Sequence, residues 1–481
     1  MNNNFDVLII GGGVVGSAIA RELSRFKLKI AVLEKNEDVC FETSGRNSAV
    51  LHGGFAYDKG SLKAKFCLEG NLEFDQVAKE LDVPFSRTGK VLVGNTDEDM
   101  AQLERVKKQG EENGVVGLRI IDEKELHKLV PAVVGKFALF CPSSGILDPF
   151  TYTIALAENS VSNGAKYFLA SEVLDIKHEN DTYTLSTKKG EFTSKWVVNS
   201  SGLNCGKVSK MLGFPEYNVI GSKGTYIILD KCTGPLLPMP VYPVPSNTYM
   251  GIHVTPTVDG NVTVGPDAEK VDVYGEINYG VPQKNMDYLA QDANNLWPCI
   301  QKKDYIRNYS GILPKWTDEN GTIQDFKIET SEEIPNCVNL VGIESPALTG
   351  ALPIGRYVAN IIATRENAEK NADFNPIRHG IVKFNEQTAE KQAELIKENP
   401  DYGELVCRCE KVTKAELLQA VNNPLGAKTL MSVKYRTRAM MGRCQGGYCQ
   451  MRMAEMLLEN QELTDVLYAR EGSNLFVGRV K

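Results

Sequence analysis

The sequence predicts an α/β protein with a large domain built on a parallel sheet, an inserted antiparallel-sheet domain, and a small helical domain near the C-terminus. Three observations support this prediction. A short apolar strand near the N-terminus runs through a glycine-rich turn into a helix. Segments of alternating polar and apolar residues occur in the middle of the chain, and residues 247–254 and 261–264 are predicted as antiparallel strands. Four cysteines in two close pairs lie near the C-terminal end.

The composition is that of an ordinary globular protein. A chain of 481 residues exceeds the size of one hydrophobic core, so two or more domains are expected. A formal net charge of -7 argues against a nucleic-acid partner. No apolar run reaches the roughly 18 residues that a membrane span needs, and no cationic signal segment precedes the first strand. We therefore expect a cytoplasmic protein without a transmembrane segment.

The first strand, turn and helix predict a Rossmann-like dinucleotide site. Residues 5–10 read as a buried strand, and residues 11–16 match the pattern G-x-G-x-x-G before a helix. Gly11 permits the tight turn, Gly13 lets the backbone approach a pyrophosphate, and Gly16 lets helix and strand pack closely. The helix N-terminus then stabilises the phosphates.

A second strand, residues 29–33, ends at Glu34. A carboxylate at this position accepts hydrogen bonds from ribose hydroxyls, which favours an unmodified ribose over a 2'-phosphate. The pattern predicts a dinucleotide but leaves FAD and NAD both open.

A family resemblance favours FAD. Residues 43–57, TSGRNSAVLHGGFAY, closely resemble the flavin-contacting motif of the D-amino-acid-oxidase-like superfamily, in particular L-2-hydroxyglutarate oxidases and glycerol-3-phosphate dehydrogenases. Residues 60–67 look most like the hydroxyglutarate branch. Further landmarks of the superfamily occur at residues 145–150, 196–202 and 339–350. The last of these precedes a helix whose positive N-terminal end would stabilise negative charge on the reduced flavin ring.

The glycine turn and this resemblance together predict the FAD contacts. The expected residues are Gly11, Gly13, Gly16, Glu34, Lys35, Ser44, Gly45, Asn47, Ser48, Gly53, Val173, Ser201, Gly202, Gly342, Leu348 and Thr349.

The cysteine pattern predicts a metal centre. Cys407 and Cys409 are separated by one residue, and Cys444 and Cys449 follow later, so four thiolates can converge. The first pair is too tight for the usual C-x-x-C zinc knuckle, although zinc and unliganded thiols stay open as alternatives. The pattern resembles the bacterioferritin-associated ferredoxin-like domain, which implies a 2Fe-2S cluster. Between the two pairs, residues 414–421 are predicted as a short helix with a capping box formed by Thr413 and Glu416. A domain of this size is expected to depend on its metal for stability.

These features imply the type of reaction. A flavin followed by a one-electron carrier favours a dehydrogenase that delivers electrons to a protein subunit or carrier instead of oxygen. The combination resembles the catalytic subunit of anaerobic glycerol-3-phosphate dehydrogenases, which implies oxidation of glycerol 3-phosphate to dihydroxyacetone phosphate. Oxidation of L-2-hydroxyglutarate or another 2-hydroxy acid is the alternative, and an amino-acid oxidase or a partner-fed electron-transfer subunit is a third possibility.

The predicted catalytic residues are His52, His253 and Lys315. His52 is the first candidate for the general base, because its loop is expected beside the flavin, and His253 is the second. Ala56 and Leu313 stand where the glycerol-phosphate branch has substrate arginines, so Lys315 is expected to contact the substrate anion.

We expect the flavin domain to be assembled from separate segments. Residues 1–80, 140–215 and 325–370 form it, and residues 81–139 and 216–324 form the substrate domain. The remaining segments are a connector at 371–403, the cysteine domain at 404–460 and a tail at 461–481.

Overall fold

A computed structural model describes residues 3–245, 250–458 and 466. The chain divides into two units, Met1–Arg378 and His379–Lys481. The residues predicted as a connector are split between them, since 371–378 belong to the first unit and 379–403 to the second. The predicted tail, apart from residue 466, lies outside the described residues.

The bounds of the elements fix where the functional residues lie. The strands of the described residues are, in chain order, β1 (Asn4–Ile10), β2 (Ile30–Leu33), β3 (Val50–Leu51), β4 (Phe85–Ser86), β5 (Lys90–Gly94), β6 (Arg119–Asp122), β7 (Phe137–Cys141), β8 (Gly145–Leu147), β9 (Lys166–Phe168), β10 (Val173–Glu179), β11 (Thr182–Thr187), β12 (Gly190–Asn199), β13 (Asn218–Leu229), β14 (Val241–Pro243), β15 (Val254–Pro256), β16 (Val262–Val264), β17 (Glu269–Val271), β18 (Tyr305–Thr317), β19 (Lys327–Glu329), β20 (Cys337–Val341), β21 (Leu405–Cys407) and β22 (Val412–Thr413). The α-helices of the same residues are α1 (Val14–Leu23), α2 (Leu62–Leu81), α3 (Asp97–Glu112), α4 (Glu123–Leu129), α5 (Pro149–Ser162), α6 (Cys205–Met211), α7 (Gln283–Leu296), α8 (Ala347–Glu366), α9 (Ala389–Glu398), α10 (Lys414–Val421), α11 (Leu430–Thr437) and α12 (Gln450–Leu458).

The first sheet has a parallel core in the order β9-β2-β1-β12-β20. Antiparallel strands β10, β11 and β19 extend it. The parallel core places the carboxyl ends of β1, β2, β12 and β20 along one edge, which is where ligands bind in open α/β sheets. The predicted Rossmann-like arrangement is confirmed.

Strand β1 is apolar from Val7 to Ile10, where both of its faces are covered. Leu8 and Ile10 pack in one hydrophobic cluster, whereas Val7 and Ile9 pack in a second cluster with residues of α1 and α8. A strand buried on both faces reads as a continuous apolar run, as the sequence indicated. The apolar face that the sequence predicts for the first helix extends to residue 26. In the structure, helix α1 ends earlier, at Leu23.

The second sheet runs in the order β17-β13-β16-β15-β14-β5-β7-β6, and β18 pairs with β13. Its pairs are antiparallel, as predicted, except that β14 and β5 are parallel. A predicted strand at residues 247–254 is wrong within the described residues. Residues 246–249 lie outside the described part, and the next strand begins only at Val254, because Gly251 has a positive φ of 80°. The predicted strand at 261–264 is present as β16.

The second unit contains α9 to α12 and the β21-β22 hairpin. The capping box predicted for α10 is confirmed, since the Glu416 carboxylate accepts hydrogen bonds from the Thr413 backbone N–H at 2.8 Å and hydroxyl at 2.7 Å. Its small core contains two of the four cysteines, Cys407 and Cys449. Within the described part of the chain, none of the helices combines the length and apolar character that crossing a membrane requires.

Candidate flavin site and cysteine site

A cavity of about 1290 Å³ opens at the carboxyl edge of the parallel strands. Residues at the ends of β1, β2, β12 and β20 line it, together with the loop that follows β3. Twelve of the predicted FAD contacts line this cavity: Gly11, Gly13, Glu34, Lys35, Ser44, Asn47, Ser48, Gly53, Val173, Ser201, Gly202 and Leu348. The fold therefore brings together residues from distant parts of the chain.

The other four predicted contacts, Gly16, Gly45, Gly342 and Thr349, are not among the residues that line the cavity. A Cβ at Gly45 would lie 2.4 Å from the Cys40 carbonyl oxygen, and one at Gly342 would lie 2.2 Å from the Trp316 ring. Neighbouring residues leave no room for a side chain at these two glycines. Both positions therefore support the wall of the cavity without lining it.

The glycine turn combines packing with space for a ligand. A Cβ at Gly16 would lie 2.0 Å from the Gly11 carbonyl oxygen, and Gly11 itself has a φ of 105°. At Gly13, by contrast, the nearest heavy atom to an added Cβ is the Ser44 hydroxyl at 3.1 Å. Gly13 is the residue before helix α1 and lines the cavity, so this turn fits a pyrophosphate at a helix N-terminus.

Glu34 holds the turn from the end of β2. Its buried carboxylate accepts hydrogen bonds from the backbone N–H of Gly12 at 2.6 Å and of Asn36 at 2.8 Å. Burial raises the pKa of this carboxyl group, and the two amide hydrogen bonds act in the opposite direction. The carboxylate lines the cavity, where it can also accept hydrogen bonds from ribose hydroxyls.

The segment that contains β3, residues 44–53, is held by hydrogen bonds before and after the strand. Asn47 donates from Nδ2 to the Ser44 carbonyl at 2.7 Å and accepts at Oδ1 from the Ala49 N–H at 2.8 Å. At the other end, the His52 N–H donates to Thr349 Oγ1 on α8 at 3.0 Å. Two distant segments thus determine where His52 lies.

His52 and His253 both line the cavity, and both are neutral. Burial and the nearby Lys90 ammonium lower the pKa of His52 to about 3. Burial also lowers the pKa of His253 well below its ordinary value, with further lowering by Lys90 and His52. The ring of His253 stacks on Tyr242 at 3.8 Å between centroids.

The two imidazoles differ in their hydrogen bonds. His253 Nδ1 lies 3.0 Å from Thr255 Oγ1, which occupies one ring nitrogen. In the described residues, neither ring nitrogen of His52 has a hydrogen-bond partner. A neutral imidazole with a free nitrogen can accept a proton from a bound hydroxyl group.

Lys315 lies on β18 and shares its carboxylate partner with a second lysine. Lys63 Nζ lies 2.7 Å from Glu344 Oε1, and Lys315 Nζ lies 3.9 Å from the same oxygen. All three side chains line the cavity. Two ammonium groups on one carboxylate leave an excess positive charge there, so this group can attract an anion.

Sequence reasoning missed Lys63, Glu344 and above all Lys90. Lys90 is 1% exposed, although it is the first residue of the buried strand β5. In the sequence, the position of Lys90 at the start of an apolar strand was the one feature that could have indicated a functional role. The same feature is typical of an ordinary strand end at the surface. Ala56 and Leu313, at the positions of the missing arginines, also line the cavity.

The four cysteines of the second unit influence one another electrostatically. Cys407 interacts with Cys449, and Cys409 interacts with Cys444 and Cys407, so early and late cysteines lie near one another. Among the described residues, no three His, Cys, Asp or Glu side chains are gathered at a single point. Four cysteines that lie near one another can supply the thiolate ligands of a 2Fe-2S cluster. A Cβ at Gly442 would lie 2.4 Å from Cys409 Cβ, so glycine is needed beside the site.

The fold and both sites agree with comparisons with known proteins. The chain belongs to the FAD dependent oxidoreductase family (DAO), whose model matches residues 6–361. The BFD-like 2Fe-2S binding domain model matches residues 405–459. The chain is therefore an FAD-dependent oxidoreductase with a 2Fe-2S domain, and the predicted cofactors are confirmed.

Particular relatives narrow the comparison. The chain is 37% identical to "Glycerol 3-phosphate dehydrogenase" of Caloramator mitchellensis over 99% of both chains. It is 32% identical to human mitochondrial "L-2-hydroxyglutarate dehydrogenase" over 76% of this chain and 89% of that one. Among solved structures, L-alpha-glycerophosphate oxidase of Mycoplasma pneumoniae with FAD bound has a TM-score of 0.73 at 26% identity, covering 78% of this chain and 98% of that chain.

Proposed function

We propose that this enzyme oxidises glycerol 3-phosphate to dihydroxyacetone phosphate. One observation carries the proposal: the similarity to the Caloramator enzyme spans 99% of both chains, so it includes the flavin region and the cysteine domain together. The hydroxyglutarate relatives match about three quarters of the chain, between 73% and 76%. A relative that shares both cofactor regions is the better guide to a reaction that uses both.

Oxidation of a secondary alcohol to a ketone removes a hydride from carbon and a proton from oxygen. When bound, FAD supplies the two-electron acceptor for the hydride, and the 2Fe-2S cluster supplies one-electron chemistry. In this proposal His52 accepts the hydroxyl proton at its free ring nitrogen, since its lowered pKa keeps the imidazole in the basic form. His253 is the second candidate, because Thr255 already engages its Nδ1.

The predicted FAD contacts and the anion contact belong to the same proposal. The residues that line the cavity at the glycine turn would hold the pyrophosphate and ribose, while the loop from Ser44 to Gly53 would lie along the flavin. Lys315 would attract the anionic substrate into the cavity, supported by the excess charge of the two lysines on Glu344. Cys407, Cys409, Cys444 and Cys449 would hold the cluster.

We also propose that an external protein accepts the electrons. A one-electron centre in a separate unit is typical of enzymes that reduce a carrier or subunit. The cytoplasmic location expected from the sequence is part of the same proposal.

Oxidation of L-2-hydroxyglutarate is the second candidate. Residues 60–67 resemble that branch, and Ala56 and Leu313 replace the arginines expected for a glycerol phosphate. Both substrates carry a secondary hydroxyl close to an anionic group, so the same base and cation would serve either of them.

Anaerobic stopped-flow absorbance tests these proposals. The holoenzyme is mixed with glycerol 3-phosphate, L-2-hydroxyglutarate, lactate or amino acids, and flavin bleaching and cluster reduction are recorded together. We expect rapid bleaching by glycerol 3-phosphate, followed by cluster reduction. Bleaching by L-2-hydroxyglutarate alone would establish the second candidate. Bleaching by an amino acid would indicate an amino-acid oxidase, and no bleaching by any compound would indicate a partner-fed electron-transfer subunit.

A further inference from the structure

A buried ammonium group lies in the wall of the cavity at the start of β5. Lys90 is 1% exposed, and its Nζ lies 4.0 Å from the ring centroid of Tyr242 and 4.9 Å from that of Phe55. In the residues that the structure describes, no oxygen accepts a hydrogen bond from this Nζ. Two aromatic faces offer it only a weak cation-π interaction.

The other cations that are at least partly buried in the cavity wall have oxygen partners. Lys63 and Lys315 contact Glu344, and Arg46 donates to the Phe41 and Ser310 carbonyls. Lys90 is the exception among these described side chains. Burying an ammonium group without a partner is costly, and a bound anion would offset this cost.

In the part of the chain that the structure describes, no carboxylate acts on Lys90. His52 and His253 face it from two loops and are neutral, and burial raises the pKa of the Cys67 thiol on α2. The Cys141 thiol faces it from β7, and burial raises the pKa of the Tyr242 hydroxyl on β14. A ligand that pairs with Lys90 must therefore bring its own anionic group.

We propose that Lys90 binds the anionic group of the substrate, with His52 and His253 beside the adjoining hydroxyl. The ligand class is a small alcohol whose oxyanion, phosphate or carboxylate, lies one or two carbons from the reacting carbon. This inference deepens the proposed function and rests on it. Ala56 and Leu313 occupy the positions of the expected substrate-binding arginines in this cavity. Lys90 would supply the positive charge that these two residues lack.

The position of Lys90 relative to the histidines supports this role. Lys90 Nζ lies 4.0 Å from the ring centroid of Tyr242, and the same ring stacks on His253 at 3.8 Å, so the ammonium and this imidazole share a neighbour. The ammonium also lowers the pKa of both imidazoles. An anion bound at Lys90 would therefore lie close to the proposed proton acceptor. Lys315 belongs to a different group of charges, around Glu344, and serves as the comparison.

The test measures reduction of the flavin in the full-length holoenzyme by glycerol 3-phosphate, L-2-hydroxyglutarate and glycerol, the last of which lacks an anionic group. We expect Lys90→Met to raise the apparent dissociation constant of the anionic substrate about 10- to 100-fold, as for loss of a charge-assisted hydrogen bond. Reduction by glycerol should change much less. A larger effect of Lys315→Met than of Lys90→Met on the anionic substrate would overturn the assignment.

A second readout does not depend on turnover. Sulfate, an unreactive oxyanion, is titrated into the holoenzyme while the flavin absorbance is recorded. Burial lowers the pKa of Lys90 to about 8, so sulfate affinity of the unmodified enzyme should weaken as the pH rises through this value. Lys90→Arg should keep its affinity at higher pH, because arginine stays charged. Sulfate affinity that is independent of pH would overturn the assignment even if the variants fail to fold.

The outcomes separate the two proposals. If neither glycerol 3-phosphate nor L-2-hydroxyglutarate reduces the flavin of the unmodified enzyme, the proposed function fails, whatever Lys90 does. If one of them reduces the flavin and Lys90→Met binds it as tightly as the unmodified enzyme, only the role of Lys90 is wrong.

Discussion

At the scale of single residues, the cavity is controlled by burial of ionisable groups. The imidazole of His52 is neutral because burial and Lys90 disfavour its charged form, and the ammonium of Lys90 is destabilised by the same burial. Perturbed pKa values of this kind concentrate at functional sites. The first two predictions follow from these two residues.

Replacing His52 by asparagine should slow flavin reduction by about 10²- to 10⁴-fold, the usual contribution of a general base. Because the pKa of His52 is lowered to about 3, its basic form is present at any pH above that value. The limiting rate of flavin reduction should therefore show no loss from His52 as the pH falls from about 8 to about 5. His253→Asn is the control, with a smaller expected effect. A protonation step near pH 6.5 that disappears in His52→Asn would contradict this prediction.

Replacing Lys90 by methionine should stabilise the substrate-free protein. Lowering the pKa from 10.5 to about 8 means that the charged form costs about 3 kcal/mol in the folded state. This cost is fully present below about pH 8 and disappears as the pH rises from there toward 10.5. Denaturant unfolding of both proteins at several pH values checks it. The advantage of Lys90→Met should be greatest at neutral pH and should shrink in alkali, and a destabilised variant at neutral pH would contradict the argument.

At the scale of elements, the site depends on close approach between segments that are remote in sequence. Strand β1, helix α1 and the end of β12 meet at the glycine turn, and the loop after β3 is attached to α8 through Thr349. An added side chain at the glycine turn, or the loss of the hydrogen bond to Thr349, would therefore disturb the site. Two further predictions concern these contacts.

Alanine at Gly13 and alanine at Gly16 should have different effects. At Gly16 the new methyl group would overlap the Gly11 carbonyl at 2.0 Å, so we expect α1 to shift and stability to fall by about 1–3 kcal/mol or more. At Gly13 the methyl group would project into the cavity, so the fold should persist while FAD affinity falls. Thermal unfolding of the FAD-free proteins and FAD titration separate the two effects. Equal losses of stability would contradict this division of roles.

Valine at position 349 should weaken the link between α8 and His52. It leaves the buried His52 N–H without an acceptor, which costs about 1–3 kcal/mol. Thr349→Ser keeps the oxygen and is the matched control. Denaturant unfolding gives the stability, and the rate of flavin reduction reports the position of His52. If serine and valine behave alike, the hydrogen bond has no such role.

At the scale of the whole molecule, the chain separates flavin chemistry from cluster chemistry in two units. The second unit has a small core that includes Cys407 and Cys449. Metal binding in a domain of this kind contributes directly to its folding.

Serine at Cys407 should remove the cluster and destabilise the second unit. One of four thiolate ligands is lost, and the core loses the stabilisation that metal binding provides. Bound FAD and its reduction by substrate should persist, because those residues belong to the first unit. Iron analysis and the unfolding transitions of the full chain measure the result, with the exposed Cys232→Ser as the control. Zinc in place of iron in the unmodified protein would contradict the cluster assignment.

The sequence by itself determined the features that are local. The strand-turn-helix of the glycine motif, the carboxylate of Glu34 and the spacing of the four cysteines each lie within short segments, so backbone geometry and residue type define them. The capping box of α10 was predictable for the same reason. The predicted strand at residues 247–254 failed because an alternating pattern does not reveal the positive φ of Gly251.

Only the tertiary structure decided which charges meet in the cavity. Lys63, Lys315 and Glu344 come from three separate segments, and Lys90 has the sequence context of an ordinary strand end. Whether such a side chain is solvated, paired or buried alone depends on segments far away in the chain. Burial and ion pairing determine the free energy of the charged side chain, and neither is a property of the local sequence.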